Sequence, residues 1–300
     1  MNQLTGFLKR HSLVSGILLM FALTWPIDLA NSGFMPFQVS PVLAIFVGYG
    51  LVLATLLITG LTLGSQGVTA LLKRFLIWRV GWKWYLVAFL LMPSMQFVAV
   101  LLSAAVRQSP LDFSTVYAFK IFGPSVNLIL LIVPFFLFDA LANGEEIAWR
   151  GYVLPRVQAN HSALLSSLIV GMIWGIWHLP KFLSHWDTLT FVFFMAGITA
   201  RAVLYTWLYN NTKGSLLLTT IFHAAGNTGG ILLPVAITAT SGNLIASIIH
   251  LLIEVAVVVV VTIRAGAARL SRTEPKQVQQ ESLQPEPATL AAAALESAIK

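Results

Sequence analysis

Long apolar stretches follow one another along most of this chain, and they constrain its fold more than any other feature. A helix needs roughly 20 apolar residues to cross a lipid bilayer. About eight stretches approach or exceed that length, at approximately residues 12–30, 42–63, 84–106, 126–157, 162–179, 189–209, 214–237 and 243–264. The pattern predicts an all-α fold, a polytopic membrane helix bundle of about eight transmembrane helices.

Composition supports this class and excludes others. Of the 300 residues, 57% are hydrophobic and 10% are charged, whereas soluble domains carry about 25% charged residues. The net charge of +7 is therefore interpreted as basic cytoplasmic loops, and no nucleic-acid partner is predicted. Because the chain has no cysteine, disulfides, thiolate zinc sites and a cysteine nucleophile are all excluded.

Basic residues alternate between successive loops, and this alternation orients the bundle. Every second loop is basic and the loops between are nearly neutral, so both termini are predicted to be cytoplasmic. The basic positions are Lys9, Arg10, Lys73, Arg74, Arg79, Lys83, Arg150, Arg156, Lys213, Arg264, Arg269 and Arg272. Residues 1–125 are predicted to form three N-terminal spans, residues 126–264 a functional core, and residues 265–300 a cytoplasmic, disordered tail.

Two adjacent carboxylates, Glu145 and Glu146, lie inside the fourth apolar stretch. An ionised carboxylate in hydrocarbon costs about 2.5 kcal/mol or more, so the pair predicts a function. If one long helix continues past the pair to about residue 157, Glu145 lies some 15 residues before the turn at residues 159–161. His178 lies some 17 residues after it, so both are ~22–26 Å from the turn. His223 is nearly at the same depth. A broken helix at Gly144 or a kink at Pro155 would change this placement.

Helical spacing separates the two carboxylates. Glu146 and Arg150 are four residues apart and share a face, which makes Arg150 the expected partner in a structural ion pair. Glu145 points about 100° away and has no basic partner on its own helix. Two further pairs are also four residues apart, Trp174 with His178 and His223 with Asn227.

Each of these features has a simpler explanation when it is taken alone. A Glu-Glu pair can mark a solvated helix end, His178 can cap a helix before Leu-Pro, and His223 with Asn227 can form interhelical hydrogen bonds. Three further polar residues lie in apolar stretches without an assigned function, although the first and last could form an ion pair: Arg201, His250 and Glu254.

Together, the three motifs resemble those of the CAAX-prenyl-protease and bacteriocin-processing family of intramembrane proteases, also called the Abi family. Its E-E-x-x-x-R motif is matched by Glu145, Glu146 and Arg150. Its F-x-x-x-H motif is matched by Trp174 and His178, with Trp where Phe is usual. Its H-x-x-x-N motif is matched by His223 and Asn227. The resemblance covers residues 125–237 and makes residues 126–264 the expected catalytic core.

The resemblance implies an intramembrane endopeptidase that cleaves a membrane-associated peptide or protein. Glu145 would be the general base that activates water, assisted by His178, and Glu146 would be held by Arg150. His223 and Asn227 would stabilise the oxyanion. The implied protein is a multi-pass component of a bacterial plasma membrane, with the lipid bilayer and a peptide or membrane-protein substrate as partners.

Metal dependence stays open at this point. His178, His223 and Glu145 are a plausible zinc set, but the H-E-x-x-H pair of many zinc proteases is absent. Family members have been described both as metalloproteases and as glutamate proteases. We expect that no cofactor is required, with zinc as the alternative.

Two other classes of function compete with this one. Intramembrane Glu and His can relay protons in a transporter, although no internal repeat is visible in the sequence. A non-catalytic immunity or interaction protein could use the same scaffold. Cleavage assays distinguish a protease from both, and flux without proteolysis would favour the transporter.

Overall fold

The structure is a computed structural model that describes residues 3–40, 47–108, 110–111, 116–183, 187–233 and 244–272. Within these ranges all regular structure is helical and there is no strand. The helices are α1 (Gln3–Arg10), α2 (Ser12–Asn31), α3 (Val47–Lys73), α4 (Trp82–Arg107), α5 (Tyr117–Phe122), α6 (Leu128–Ala142), α7 (Leu154–Gln158), α8 (Ala163–Trp177), α9 (Pro180–Leu183), α10 (Thr188–Asn211), α11 (Leu216–Leu232) and α12 (Leu244–Ala265). A 3₁₀ turn (Arg74–Leu76) follows α3, and a π-helical segment (Ile147–Val153) precedes α7.

Each predicted apolar stretch corresponds to an apolar helix. In the described part of the chain, five helices are long and apolar enough to cross a membrane, or six if the bent fourth span is included. The two shorter apolar helices are α8 and α11. The predicted polytopic helical bundle is confirmed and the chain is an integral membrane protein, whereas the number of eight crossings and the orientation of the termini stay predictions.

The fourth span differs from the single continuous helix that the sequence predicted. Helix α6 ends at Ala142, helix resumes at Glu145, and the two parts are bent by 44°. Asn143 has an extended backbone (φ −84°, ψ 103°), and its side chain accepts a hydrogen bond from the Glu145 amide at 2.9 Å. An asparagine in this position caps the helix that follows it, so the break also starts the segment that carries both glutamates.

Close backbone packing holds this break in place. A Cβ atom added to Gly48 on α3 would lie 3.0 Å from the backbone nitrogen of Gly144 and 3.1 Å from the carbonyl oxygen of Ala142. A Cβ atom on Gly144 would in turn collide with the Gly48 carbonyl oxygen and with Val52. Glycines at both positions allow the two backbones to approach closely, as is common between membrane helices.

The π-helical segment lies at the centre of the bundle. All of its residues are buried, and it contacts α3, α8, α10 and α11. Around it, α11 packs against α4 and α6, and α10 packs against α8 and α12. π-Helical segments are rare and frequently occur at functional sites. The second half of the fourth span is therefore the part of the molecule that the other helices enclose.

The chain after α12 is partly fixed to the bundle. The amide nitrogens of Ala163 and Leu164, at the start of α8, donate to the carbonyl oxygens of Ala268 and Ala267 at 2.8 and 3.0 Å. Leu270 is fully buried. Residues 266–272, where the predicted tail begins, thus cap α8. The remainder of that predicted tail, from residue 273, and the last residues of the predicted seventh span lie outside the described residues, and the domain boundaries stay predictions.

Candidate active site

Glu146 is the more buried of the two glutamates, and one of its carboxylate oxygens contacts two side chains. Its Oε1 accepts a hydrogen bond from Arg150 Nη1 at 3.0 Å and lies 2.9 Å from His223 Nδ1. Glu146 is only 1% exposed and Arg150 is fully buried. A buried carboxylate requires partners of this kind, because an isolated ionised group would cost several kcal/mol. Arg150 is therefore the partner of Glu146, and His223 joins the pair from α11.

Glu145 lies beside this pair but is bound differently. Its Oε2 accepts a hydrogen bond from the indole Nε1–H of Trp174. Its Oε1 lies 4.0 Å from Nε2 of His223, which is too far for a direct hydrogen bond. The Glu145 side chain is 12% exposed. Glu145 thus has no arginine partner and keeps one oxygen directed at an imidazole nitrogen across a gap.

Trp174, which stands where the F-x-x-x-H motif has Phe, donates this hydrogen bond. The sequence interpretation treated Trp174 as a simple aromatic replacement, but Phe has no donor to offer a carboxylate. No spacing rule identified Trp174 as a contact of Glu145. The signal that was present is the spacing of Trp174 and His178, four residues apart and thus on one face of α8.

His178 lies at the end of α8, close to Glu145. Its Nδ1 is 2.9 Å from the carbonyl oxygen of Trp174, and a carbonyl can only accept, so the proton is on Nδ1. Its ring packs edge-on against Trp177 and Phe194, with centroid distances of 4.7 and 5.2 Å. The carboxylate of Glu145 interacts electrostatically with His178, as well as with His223. The ring is thus fixed, and Nε2 has no hydrogen-bond partner in the described contacts.

Asn227 is exposed and does not contact either glutamate in the described contacts. Its Nδ2 donates to Oδ1 of Asp139 on α6 at 3.0 Å. It lies one turn after His223 on α11, so the two residues share a face as their spacing indicated. The sequence did not predict the contact of Asp139 with Asn227.

Aromatic rings enclose the arginine. The Cζ atom of Arg150 lies 3.9 Å from the ring centroid of Tyr205 on α10 and 4.3 Å from that of Trp174. Tyr205 also contacts the His223 ring edge-on, at a centroid distance of 5.8 Å. A guanidinium between aromatic faces gains about 0.5–2 kcal/mol per contact. Tyr205 is a site residue that sequence reasoning missed, because it belongs to no motif and lies on a span without one.

The predicted zinc ligands do not converge as a metal site in this conformation. Among the described residues, no group of three or more His, Asp or Glu side chains is arranged to hold a metal ion. Nδ1 of His223 is directed at Glu146 and Nδ1 of His178 at a backbone carbonyl, so Nε2 is the nitrogen of each ring that could bind an ion. The chemistry proposed below uses no metal, and chelation tests that choice.

The region that carries the site is similar to a known protein family. Residues 125–229 match the family model described as type II CAAX prenyl endopeptidase Rce1-like, and this range contains every predicted site residue. The matched range, about a third of the chain, is similar to the CAAX-prenyl-protease and bacteriocin-processing family. The family resemblance predicted from the three motifs is confirmed.

A curated relative is similar over part of the chain. The protein named CAAX prenyl protease 2 of Methanococcus maripaludis is 30% identical to this chain over 152 residues. The match covers 46% of this chain and 52% of the relative, so it spans about half the length of that protein. The two matches show that the region of the site is similar to a family of proteases. The activity, the substrate and the residue roles are proposed below.

Proposed function

We propose that this chain is an intramembrane endopeptidase that hydrolyses a peptide bond in a membrane-associated peptide or protein. The observation that carries the proposal is the 4.0 Å gap between Glu145 Oε1 and His223 Nε2. A polar separation beyond 3.5 Å suits a bridging water molecule. One water within hydrogen-bond distance of both atoms would be positioned beside the one glutamate without an arginine partner.

In this mechanism Glu145 is the general base. It removes a proton from the water as the water oxygen attacks the carbonyl carbon of the scissile bond, and it later gives that proton to the leaving amine. The Trp174 hydrogen bond keeps Oε2 occupied, so Oε1 is the oxygen that faces the water. His178 assists through Nε2, because its Nδ1 is bound to a backbone carbonyl.

Charge develops on the carbonyl oxygen during the attack, and His223 and Asn227 would stabilise it. Glu146 holds the proton of His223 on Nδ1, so donation from Nε2 requires the imidazolium form. The neighbouring carboxylates of Glu145 and Glu146 stabilise that positive charge. Preorganised donors of this kind typically contribute about 10²–10³-fold to the rate. Arg150 holds Glu146 in place through its hydrogen bond.

The substrate is proposed from the relative named CAAX prenyl protease 2. We propose a peptide with a CAAX-type C-terminus as the first candidate, presented from a bacterial plasma membrane in which both termini of the enzyme are cytoplasmic. Reporter peptides with and without a prenyl group would test this choice. Mass spectrometry of membrane peptides from cells with and without the protein would identify a different substrate.

The catalytic assignment is tested by replacing Glu145 and His178 with alanine in the purified protein. We expect either change to abolish cleavage of the reporter while expression and thermal unfolding in detergent stay near wild type. His161→Ala is the matched control, since His161 also bonds a carbonyl four residues earlier, that of Val157, at 3.0 Å, but lies in a loop. Wild-type cleavage by Glu145→Ala would overturn the mechanism.

Metal dependence is tested by chelation. Because Glu145 activates the water in this proposal, activity should persist after complete removal of metals from the purified enzyme, verified by elemental analysis. Loss of activity on chelation, restored by added zinc, would replace the proposal with a metalloprotease mechanism.

A further inference from the structure

Asp139 is a charged residue of the fourth span that belongs to none of the three motifs. It lies on the last turn of α6, before the break at Asn143, and its backbone carbonyl accepts from the Asn143 amide at 2.8 Å. Its Oδ1 accepts from Asn227 Nδ2 at 3.0 Å. Its Oδ2 is buried and has no hydrogen-bond partner among the described residues. A carboxylate in an apolar span is costly, so its placement against Asn227 calls for a reason.

The chemistry of the two side chains supplies one. An asparagine amide can present either its oxygen or its NH₂ group to a neighbour. Oδ1 of Asp139 accepts the hydrogen bond, so the NH₂ group of Asn227 faces Asp139. One N–H then bonds to Asp139, and the second N–H of the same group remains for another acceptor. Without Asp139, the amide could rotate and present its oxygen instead.

We infer that Asp139 is a positioning residue that orients the Asn227 amide so that its second N–H can donate to the carbonyl oxygen of the substrate. The inference deepens the proposed function and rests on it. Asp139 thus extends the site to the half of the span before the break.

A purely structural role is the alternative, in which the Asp139 hydrogen bond only clamps α6 to α11. The chain offers a matched control for such a clamp. Gln96 on α4 is 3% exposed, and its Nε2 donates to the carbonyl oxygen of Gly226 at 2.9 Å, one residue before Asn227. Gln96→Met removes an interhelical hydrogen bond to the same turn of α11 without touching the Asn227 side chain.

The experiment measures kcat and KM for reporter cleavage by Asp139→Ala, Asp139→Asn and Gln96→Met, each in the wild-type and the Asn227→Ala backgrounds. We expect Asp139→Ala to lower kcat about tenfold with little change in KM, less than the about 10²–10³-fold cost of losing a donor outright. Asp139→Asn retains an acceptor oxygen, so its kcat should lie between those of the wild type and Asp139→Ala. In the Asn227→Ala background, Asp139→Ala should have almost no further effect.

Gln96→Met should lower the unfolding temperature, and its effect on kcat should be the same in both backgrounds. The inference is overturned if Asp139→Ala lowers kcat equally with and without Asn227, or if it leaves kcat unchanged. If Glu145→Ala is inactive but the kcat effects of Asp139→Ala and Asn227→Ala are additive, this inference is rejected and the proposed function stands. Full activity of Glu145→Ala, or no cleavage by the wild type, would reject the proposed function and this inference with it.

Discussion

Two clusters of charged side chains are buried in this bundle, and they differ in composition and in backbone. The site cluster consists of Glu145, Glu146, Arg150 and His223. The second cluster, between α10 and α12, consists of Arg201, Glu254 and His250. In it, Arg201 Nε lies 2.7 Å and His250 Nε2 lies 3.5 Å from Glu254 Oε1, so the ion pair that the sequence suggested is formed.

Charge balance separates the clusters. The second cluster has one carboxylate and one arginine, and Glu254 is fully buried while the Arg201 side chain is 24% exposed. The site cluster has two carboxylates for one arginine, and the arginine is bound to Glu146. The other carboxylate, Glu145, thus has no arginine partner and can act as a base. A buried ion pair by itself is weak evidence of function, whereas a surplus carboxylate is stronger evidence.

The backbones differ as well. The second cluster lies on regular helices, whereas the site cluster lies on a bent span with a π-helical segment. Irregular backbone within a membrane is tolerated where protein buries it, and here every residue of that segment is buried. The family match also ends at residue 229, before His250 and Glu254. We therefore expect the proposed catalysis at the site cluster and a structural role for the second cluster.

The largest expected effect is on activity. Glu145→Gln keeps the shape of the side chain but removes the base, so kcat/KM should fall about 10²–10⁴-fold. Glu254→Gln makes the same chemical change in the second cluster and should leave kcat/KM near the wild-type value. Both are measured with the same reporter in the same detergent. A comparable loss in Glu254→Gln would show that the second cluster takes part in catalysis.

The next effect is on stability. Arg150→Met leaves two buried carboxylates beside each other, and removing one partner of a buried ion pair costs about 3–5 kcal/mol. Arg201→Met leaves a single carboxylate that can take up a proton, so its cost should be smaller. Reversible unfolding in mixed micelles measures both free energies. Equal losses would contradict the claim that the two clusters are balanced differently.

The three motifs and their helical spacing were sufficient to predict several site contacts. The pairing of Glu146 with Arg150 follows from four-residue spacing, and it is present at 3.0 Å. Counting residues along the fourth and seventh spans placed His223 nearly at the depth of Glu145, and the two lie 4.0 Å apart. These contacts depend on distances along one helix or between neighbouring helices, which sequence spacing specifies.

Other features depend on how distant segments pack and could not be predicted in this way. The bend at Asn143 and Gly144 requires α3 to present Gly48, more than 90 residues earlier in the sequence. Tyr205 reaches Arg150 only because α10 packs beside the π-helical segment. The Trp174 hydrogen bond depends on the rotation of α8 about its axis, which an apolar span without a clear polar face does not reveal.

The smallest expected effect concerns Trp174, the donor that the site cluster has and the second cluster lacks in its described contacts. Trp174→Phe removes the hydrogen bond to Glu145 but restores the aromatic residue usual in the family, so activity should persist. A hydrogen bond to a charged group contributes about 1.5 kcal/mol or more, and loss of the fixed carboxylate orientation should lower kcat/KM up to about tenfold.

Trp177→Phe is the matched control, because Trp177 Nε1 donates to the neutral hydroxyl of Thr24 at 2.8 Å. Phenylalanine at this position keeps an aromatic ring against His178. Both substitutions remove the same atoms from a buried indole, so both should lower stability by similar amounts, about 1–3 kcal/mol. Only Trp174→Phe should lower kcat/KM beyond that common effect. If the two variants lose activity equally, Trp174 acts through packing alone, and the orientation of Glu145 must then come from His178 and His223.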